Sequence, residues 1–176
     1  MKKIYSILVV AIMLLSFQSM AQVAAGINLG INKSTQDNSE ALFGGELNFK
    51  YSFSDNVRAG ANLGFYQKSD KASGITVSSN VLPFSVFGEY LFLEDDFKPY
   101  AGIHLGALQT TSKLGNFSAS ETYFSLTPTV GADYMVSDQL GINFNIKYGV
   151  AFYKNIVDET ESFSTISPNL GVFFMF

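Results

Sequence analysis

From residue 23 onward the chain alternates. Val23, Ala25, Ile27, Leu29 and Ile31 are apolar, and Ala24, Gly26, Asn28, Gly30 and Asn32 stand between and after them. The same phase recurs in Phe43, Leu47, Phe49, Tyr51 and Phe53, against Glu46, Asn48 and Lys50. Val57, Ala59, Ala61, Leu63 and Phe65 follow, against Arg58 and Asn62. A period of two means strands with one apolar and one polar face.

Five further stretches carry the period. In the fourth, Leu82, Phe84, Val86, Tyr90 and Phe92 oppose Pro83, Ser85, Phe87, Glu89 and Leu91. The fifth sets Ala101, Ile103, Leu105 and Ala107 against His104 and two glycines. The sixth runs from Phe124 to Tyr134, with Asp133 on its polar side, and the seventh from Leu140 to Phe152, with Lys147. The last ends on Leu170, Val172, Phe174 and Phe176. Eight strands are expected, most of ten residues or more. A bilayer needs ~9–11 residues per tilted strand, whereas strands of soluble proteins run to ~5–6.

The links alternate too. Residues 54–56, 94–97 and 137–139 are short and polar, as tight turns are. Lys33–Ala41, Gln67–Gly74, Gln109–Thr122 and Lys154–Ser164 read as long loops. Short turns on one side and long loops on the other are the habit of barrels that cross the outer membrane. The aromatics agree. Tyr51, Phe53, Tyr90, Phe92, Tyr134 and Phe176 lie near the short turns or the end of the chain. Phe43, Phe65, Phe124 and Phe152 lie near the long links, with small and aliphatic residues between the two groups. Two aromatic belts about an aliphatic band match two membrane interfaces. The fold expected is all-β: an eight-stranded antiparallel up-and-down transmembrane β-barrel. A soluble barrel with these residues inside would show far more Lys and Glu on its polar face.

The polar face then lines a narrow interior, since eight strands leave room for little more than side chains. Two charged layers are expected there: Lys50, Arg58, Glu89 and Asp133 nearer the short turns, and Glu46, His104 and Lys147 near mid-height. Mixed signs are what a low-dielectric interior requires. Tyr66, Phe87, Tyr153 and Phe173 would help to plug the centre.

Composition sharpens this reading. The net charge is −4, which argues against nucleic acid as a partner. With no Cys there is neither a disulfide framework nor a thiolate metal site. Residues 1–21 have the form of a secretory signal peptide: Lys2 and Lys3, an apolar run from Ile4 to Phe17, then Ser19 and Ala21. The run is too short for a membrane-spanning helix, which needs ~20 residues. Export would leave residues 22–176 as one barrel domain in the outer membrane, without a further periplasmic domain and with both termini in the periplasm.

Candidate chemistry is sparse. His104, the one histidine, would serve as a general base or pH switch, or as a polar filler of the interior. No Ser–His–acid set follows from spacing. Asp95 and Asp96 fall in a turn. The acidic run at 158–161 would collect a divalent cation or simply be solvated. GINLG and GIHLG lack the strand-to-helix setting of a nucleotide loop. No catalytic residue, metal or cofactor is expected.

The residue pair Ala21–Gln22, the stretch KPYAGIHLG at the fifth strand, the alternating links and the final LGVFFMF carry a resemblance. The chain resembles small outer-membrane β-barrels of the Bacteroidetes type, often labelled porin family, and is similar in layout to the barrel of outer membrane protein A. The resemblance implies that Leu170, Val172, Phe174 and Phe176 are read by the barrel-assembly machinery. It also implies outer-membrane lipid and lipopolysaccharide as surroundings, and a monomer. The function expected is structural or surface-interactive, without a large steady pore. A narrow channel for small or apolar solutes is the alternative, using Phe87, Leu91, Phe173 and Met175. A lipid-modifying barrel enzyme is a third.

Overall fold

The computed structural model describes residues 23–37, 39–72, 75–115, 117–154 and 160–176. The expected signal segment, residues 1–21, lies outside them, as do residues 158 and 159 of the acidic run. The strands are β1 (Val23–Ser34), β2 (Ala41–Ser52), β3 (Val57–Ala72), β4 (Ile75–Leu91), β5 (Phe97–Leu114), β6 (Phe117–Met135), β7 (Leu140–Lys154) and β8 (Thr160–Met175). Each pairs antiparallel with its neighbour in sequence, and β8 returns to β1 to close the barrel.

Closure follows from where backbone polar groups can be satisfied. In hydrocarbon an unpaired N–H or C=O costs several kcal/mol, so a spanning sheet has no free edge. At the seam Ile27 stands opposite Val172 and Leu29 opposite Leu170, and Phe176 N–H donates to the Val23 carbonyl at 2.8 Å. Three short turns close one end. Phe53 N–H donates to Val57 O at 2.9 Å, Phe92 N–H to Pro99 O at 2.9 Å, and Val136 N–H to Leu140 O at 2.8 Å.

The other end departs from expectation. Gln67–Gly74 and Gln109–Thr122 are largely strand, not loop: β3 and β4 stay paired to Ala72↔Ile75, and β5 and β6 to Leu114↔Phe117. Gly115 turns the second hairpin with a φ of 57°, a left-handed conformation that suits glycine. These stretches, QKSDKA, QTTSKL and FSASET, are polar on both faces. Above a membrane both faces meet water, so the period of two disappears while the hydrogen-bonded ladder continues.

The burial pattern is that of a soluble protein turned inside out. The interior holds Asn28, Asn62, Lys50, Arg58, Glu46 and Asp133, all buried. Leu29, Leu47, Ile103, Phe124 and Val130 are among the large apolar side chains that face outward. Between the belts the described outward positions carry no charge. Neighbouring aromatics touch within the belts: Tyr51 and Phe53 edge-on at 4.9 Å, Tyr90 and Phe92 at 5.5 Å, Phe124 over Phe152 at 6.3 Å. The band between them is less purely aliphatic than expected, because Phe49 and Phe144 also project outward there.

This arrangement makes a graded prediction. Val130 lies four residues from Tyr134 in one belt and six from Phe124 in the other, near mid-depth. Val130→Arg should cost about 2–4 kcal/mol, and Tyr134→Arg about 0–1 kcal/mol, because the penalty for a lipid-facing cation falls towards the interface. Denaturant unfolding in phospholipid vesicles measures both; equal costs would contradict the assigned depth.

Candidate functional site: a sealed interior beneath an open cup

The alternation that sends Leu47, Phe49 and Ala59 outward sends Glu46, Lys50 and Arg58 inward, from β2 and β3. β4 adds Glu89, and β6 adds Asp133. Arg58 Nε donates to Glu89 Oε2 at 2.5 Å, and its Nη1 donates to Asp133 Oδ2. Lys50 Nζ lies 3.5 Å from the same Asp133 oxygen. The Tyr100 ring lies under the guanidinium at 4.5 Å. The Lys50 ammonium stands over the Tyr100 and Phe173 rings at 5.5 and 5.1 Å. Two cations thus face two carboxylates, so the layer is electrically balanced, as burial demands.

A second layer lies farther from the turns. Lys147 Nζ donates to Glu46 Oε2. Asn62 Nδ2 donates to the same oxygen at 3.0 Å. The hydroxyl of Tyr66, whose side chain is fully buried, lies 2.9 Å from Glu46 Oε1 and 2.7 Å from Asn169 Oδ1. Its one proton serves both acceptors. An amide ladder joins the layers. Asn143 donates to Asp133 at 2.5 Å, Asn145 to Asn143 at 2.7 Å, and Asn169 to Asn145 at 3.2 Å.

His104 stands between the two layers, sharing a small void with Glu46 and Lys147. Its Nε2 is 3.8 Å from Glu89 Oε1, in the layer nearer the turns, and its Nδ1 is 3.3 Å from Ser85 Oγ. The ring stacks on Phe87 at 4.6 Å. Ser85, His104 and Glu89 adjoin one another, but at 3.8 Å His104 and Glu89 share no hydrogen bond, so the base lacks the orienting acid of a hydrolytic triad. All three are buried, and Arg58 holds Glu89. The adjoining void, about 40 Å³, is lined by Ser85, His104, Glu46 and Lys147. That is room for about one water, not for an acyl substrate.

Three spaces follow one another along the barrel. A cavity of about 70 Å³ at the turn end touches Lys50, Arg58 and Leu91. The small void comes next. A cup of about 890 Å³ then opens at the hairpin end. Asn32, Leu108 and Thr165 line both the void and the cup, so they form the cup's floor. Rings fill the barrel below it. Phe87 packs where a Cβ on Gly60 would lie 2.9 Å from its Cε1, and Tyr100 lies against Gly131 in the same way, at 2.6 Å from Cζ. Tyr153 is not among these deep plugs. It lines the cup with Tyr123 and Phe163.

The other expected residues fall as follows. Leu170, Val172 and Phe174 along β8, and Phe176 just past its end, are all exposed on the outer face. Glu161 accepts from the Tyr153 hydroxyl at 2.5 Å. Among the described residues no three metal-ligating side chains cluster. The sequence reading began the fifth strand at Ala101 and so passed over Tyr100. Asn143, Asn145 and Asn169 are not singled out by sequence. Their signal was phase alone: each shares the inward parity of the charges beside it.

The family model described as outer membrane protein beta-barrel domain matches residues 7–176. The match is to the family as a whole and does not single out a Bacteroidetes type. An outer-membrane protein of Sinorhizobium fredii, y4mB, is 32% identical over 111 residues, 58% of this chain and 48% of that protein. The chain therefore spans about half of that relative. Among solved structures, neisserial surface protein A is similar with a TM-score of 0.68 at 17% identity, covering 89% of this chain and 97% of that one. Ail, the attachment invasion locus protein of Yersinia pestis, solved with the heparin analogue sucrose octasulfate, gives 0.66 at 14%, covering 89% and 99%. OprG of Pseudomonas aeruginosa gives 0.58 at 15%, covering 89% and 96%. At these identities the structural likeness speaks for the fold. With a closed wall, an apolar outer face and the family match over almost its whole length, this chain belongs to the outer-membrane β-barrel family and is an outer-membrane protein.

Proposed function

We propose that this protein acts through its outer face, as a structural and surface-interaction barrel without a large steady pore. The sealed interior supports the reading best. Arg58, Glu89, Asp133 and Lys50 are tied together across the barrel beside the rings of Tyr100, Phe87 and Phe173. Among the described residues these side chains are all buried and leave beside them a cavity of only about 70 Å³. In a planar bilayer the purified protein should give no stable nanosiemens openings; reproducible openings of that size would sink the reading.

The hairpins that rise above the aromatic belts are the contact surface, and Phe117, 83% exposed at a hairpin tip, is part of it. Lipid and lipopolysaccharide would surround the outward face. Closure of β8 on β1 leaves no strand edge within the membrane, which favours a monomer. The outward row Leu170, Val172, Phe174 and Phe176 is offered to the barrel-assembly machinery before closure. A catalytic role finds no support in the one Ser–His–Glu set, because no substrate reaches it.

A narrow route for small or apolar solutes is the second reading. One observation favours it: β6 and β7 part above Phe124↔Phe152, leaving a cleft at Thr122, Tyr123 and Tyr153. Solute uptake by loaded vesicles, lost when the cleft is bridged by a Tyr123→Cys and Tyr153→Cys pair, whose rings lie 6.0 Å apart on the same face, would favour this route over the first.

A further inference from the structure

We infer that the outer cup is a binding site for a neutral saccharide of a few sugar units. The inference deepens the surface-interaction reading and rests on it. The cup's volume, about 890 Å³, falls in the range of small-molecule sites, roughly 300–1,000 Å³. Its floor is shut, so whatever enters stays at the outer face.

The lining has two parts. One wall is aromatic: Tyr123 meets Phe163 edge-on at 5.2 Å and Tyr153 at 6.0 Å. The hydroxyl of Tyr123 donates to Glu121, and that of Tyr153 to Glu161. These bonds hold the rings in place and turn their apolar bodies to the cup. A sugar's C–H face packs on such rings. The rest of the lining is chiefly amide and hydroxyl, including Asn32, Gln36, Asn80, Thr110 and Thr165. Such groups both donate and accept, as the hydroxyls of a sugar do. This pairing of a ring platform with neutral hydrogen-bonding groups fits a sugar better than a purely apolar solute.

Charge narrows the class further. Among the described residues, Glu40, Asp70 and Glu121 line the cup against one ammonium, Lys68. Lys68 is already engaged, at 2.7 Å from Glu40 and 3.1 Å from Asp70. A sulfated or phosphorylated glycan would meet net negative charge. A neutral sugar instead gives its hydroxyl protons to these carboxylates in charge-assisted bonds.

The test uses the whole folded protein in a zwitterionic detergent without a sugar headgroup. Maltotriose and chitotriose are titrated by calorimetry, beside sucrose octasulfate as the polyanion and spermidine as the organic cation. Saturable binding of a neutral sugar is expected, with little or no heat from the other two. Phe163→Ala and Tyr153→Ala should each weaken it by about 3–10-fold, while Phe163→Tyr keeps it. The heat-dependent shift on an SDS gel confirms that each variant is folded. Tighter binding of sucrose octasulfate or spermidine, or no neutral sugar bound at tens of millimolar, would overturn the proposal. The closed-bottom reading would then still stand or fall by conductance alone. Repeating the titration in nanodiscs with and without lipopolysaccharide separates two sources. Loss of free-sugar binding when lipopolysaccharide is present means the membrane's own sugar fills the cup; unchanged binding means the sugar comes from outside.

Discussion

Arg58→Met is expected to lower the unfolding free energy of the barrel by about 3–5 kcal/mol, the cost of breaking a buried ion pair from one side. Arg58 is the hub of its layer. Without it Glu89 loses its 2.5 Å donor, and the His104 nitrogen at 3.8 Å is too far to replace it. Asp133 keeps Asn143 at 2.5 Å and Lys50 at 3.5 Å. The layer passes from balance to one negative charge in excess, sealed from water. Lys50→Met removes the same charge but less bonding. Both carboxylates remain on Arg58, so a loss of about 1–3 kcal/mol is expected. Guanidinium unfolding of protein refolded into phospholipid vesicles, followed by circular dichroism, measures the difference. Equal losses for the two variants would show that net charge, and not the Arg58 bonding pattern, governs the interior.

That ordering was not legible in the sequence, although the set of residues was. Parity alone assigned Lys50, Arg58, Glu89 and Asp133 to the interior, because a one-residue slip in any strand would put a charge into lipid. Position along the barrel is another matter. It depends on how far each strand is staggered against its neighbour, and closure fixes that stagger only for the whole sheet. His104 shows the effect. Counting from the turns places it with Glu46 and Lys147, with which it lines one void; the register also sets it beside Phe87 and Glu89, so it stands between the layers.

The outer hairpins were misread for a related reason. Alternation reports a difference between two environments. Between the belts one face meets hydrocarbon and the other a packed interior, so Phe65 and Tyr66 part clearly. Past Gln67 and Gln109 both faces meet water, and strand and loop look alike in composition. The cup was invisible for the same reason. Tyr123, Tyr153 and Phe163 come from β6, β7 and β8, and only the register of these neighbouring strands brings their rings within contact.

The upper layer allows the sharpest test of whether buried charge here contributes stability or specificity. Glu46→Met strands Lys147, whose ammonium has Glu46 as its partner; a loss of about 3–5 kcal/mol is expected. Lys147→Met strands Glu46 less completely. That carboxylate retains the Tyr66 hydroxyl at 2.9 Å and the Asn62 amide at 3.0 Å, so about 1–3 kcal/mol is expected. The double variant, with Met at both positions, removes both charges and leaves no donor stranded. Tyr66 still reaches Asn169 at 2.7 Å, and Asn62 still reaches the Leu47 carbonyl at 3.4 Å. It should therefore be at least as stable as the parent, since an apolar pair of similar volume commonly replaces a buried ion pair at no cost. The two single losses would then fail to add, with a coupling that cancels them. Simple addition, a double variant weaker than either single, would mean that the Lys147–Glu46 pair itself holds the upper barrel together. In that case the floor of the cup would depend on this pair more than on the packing of Asn32, Leu108 and Thr165.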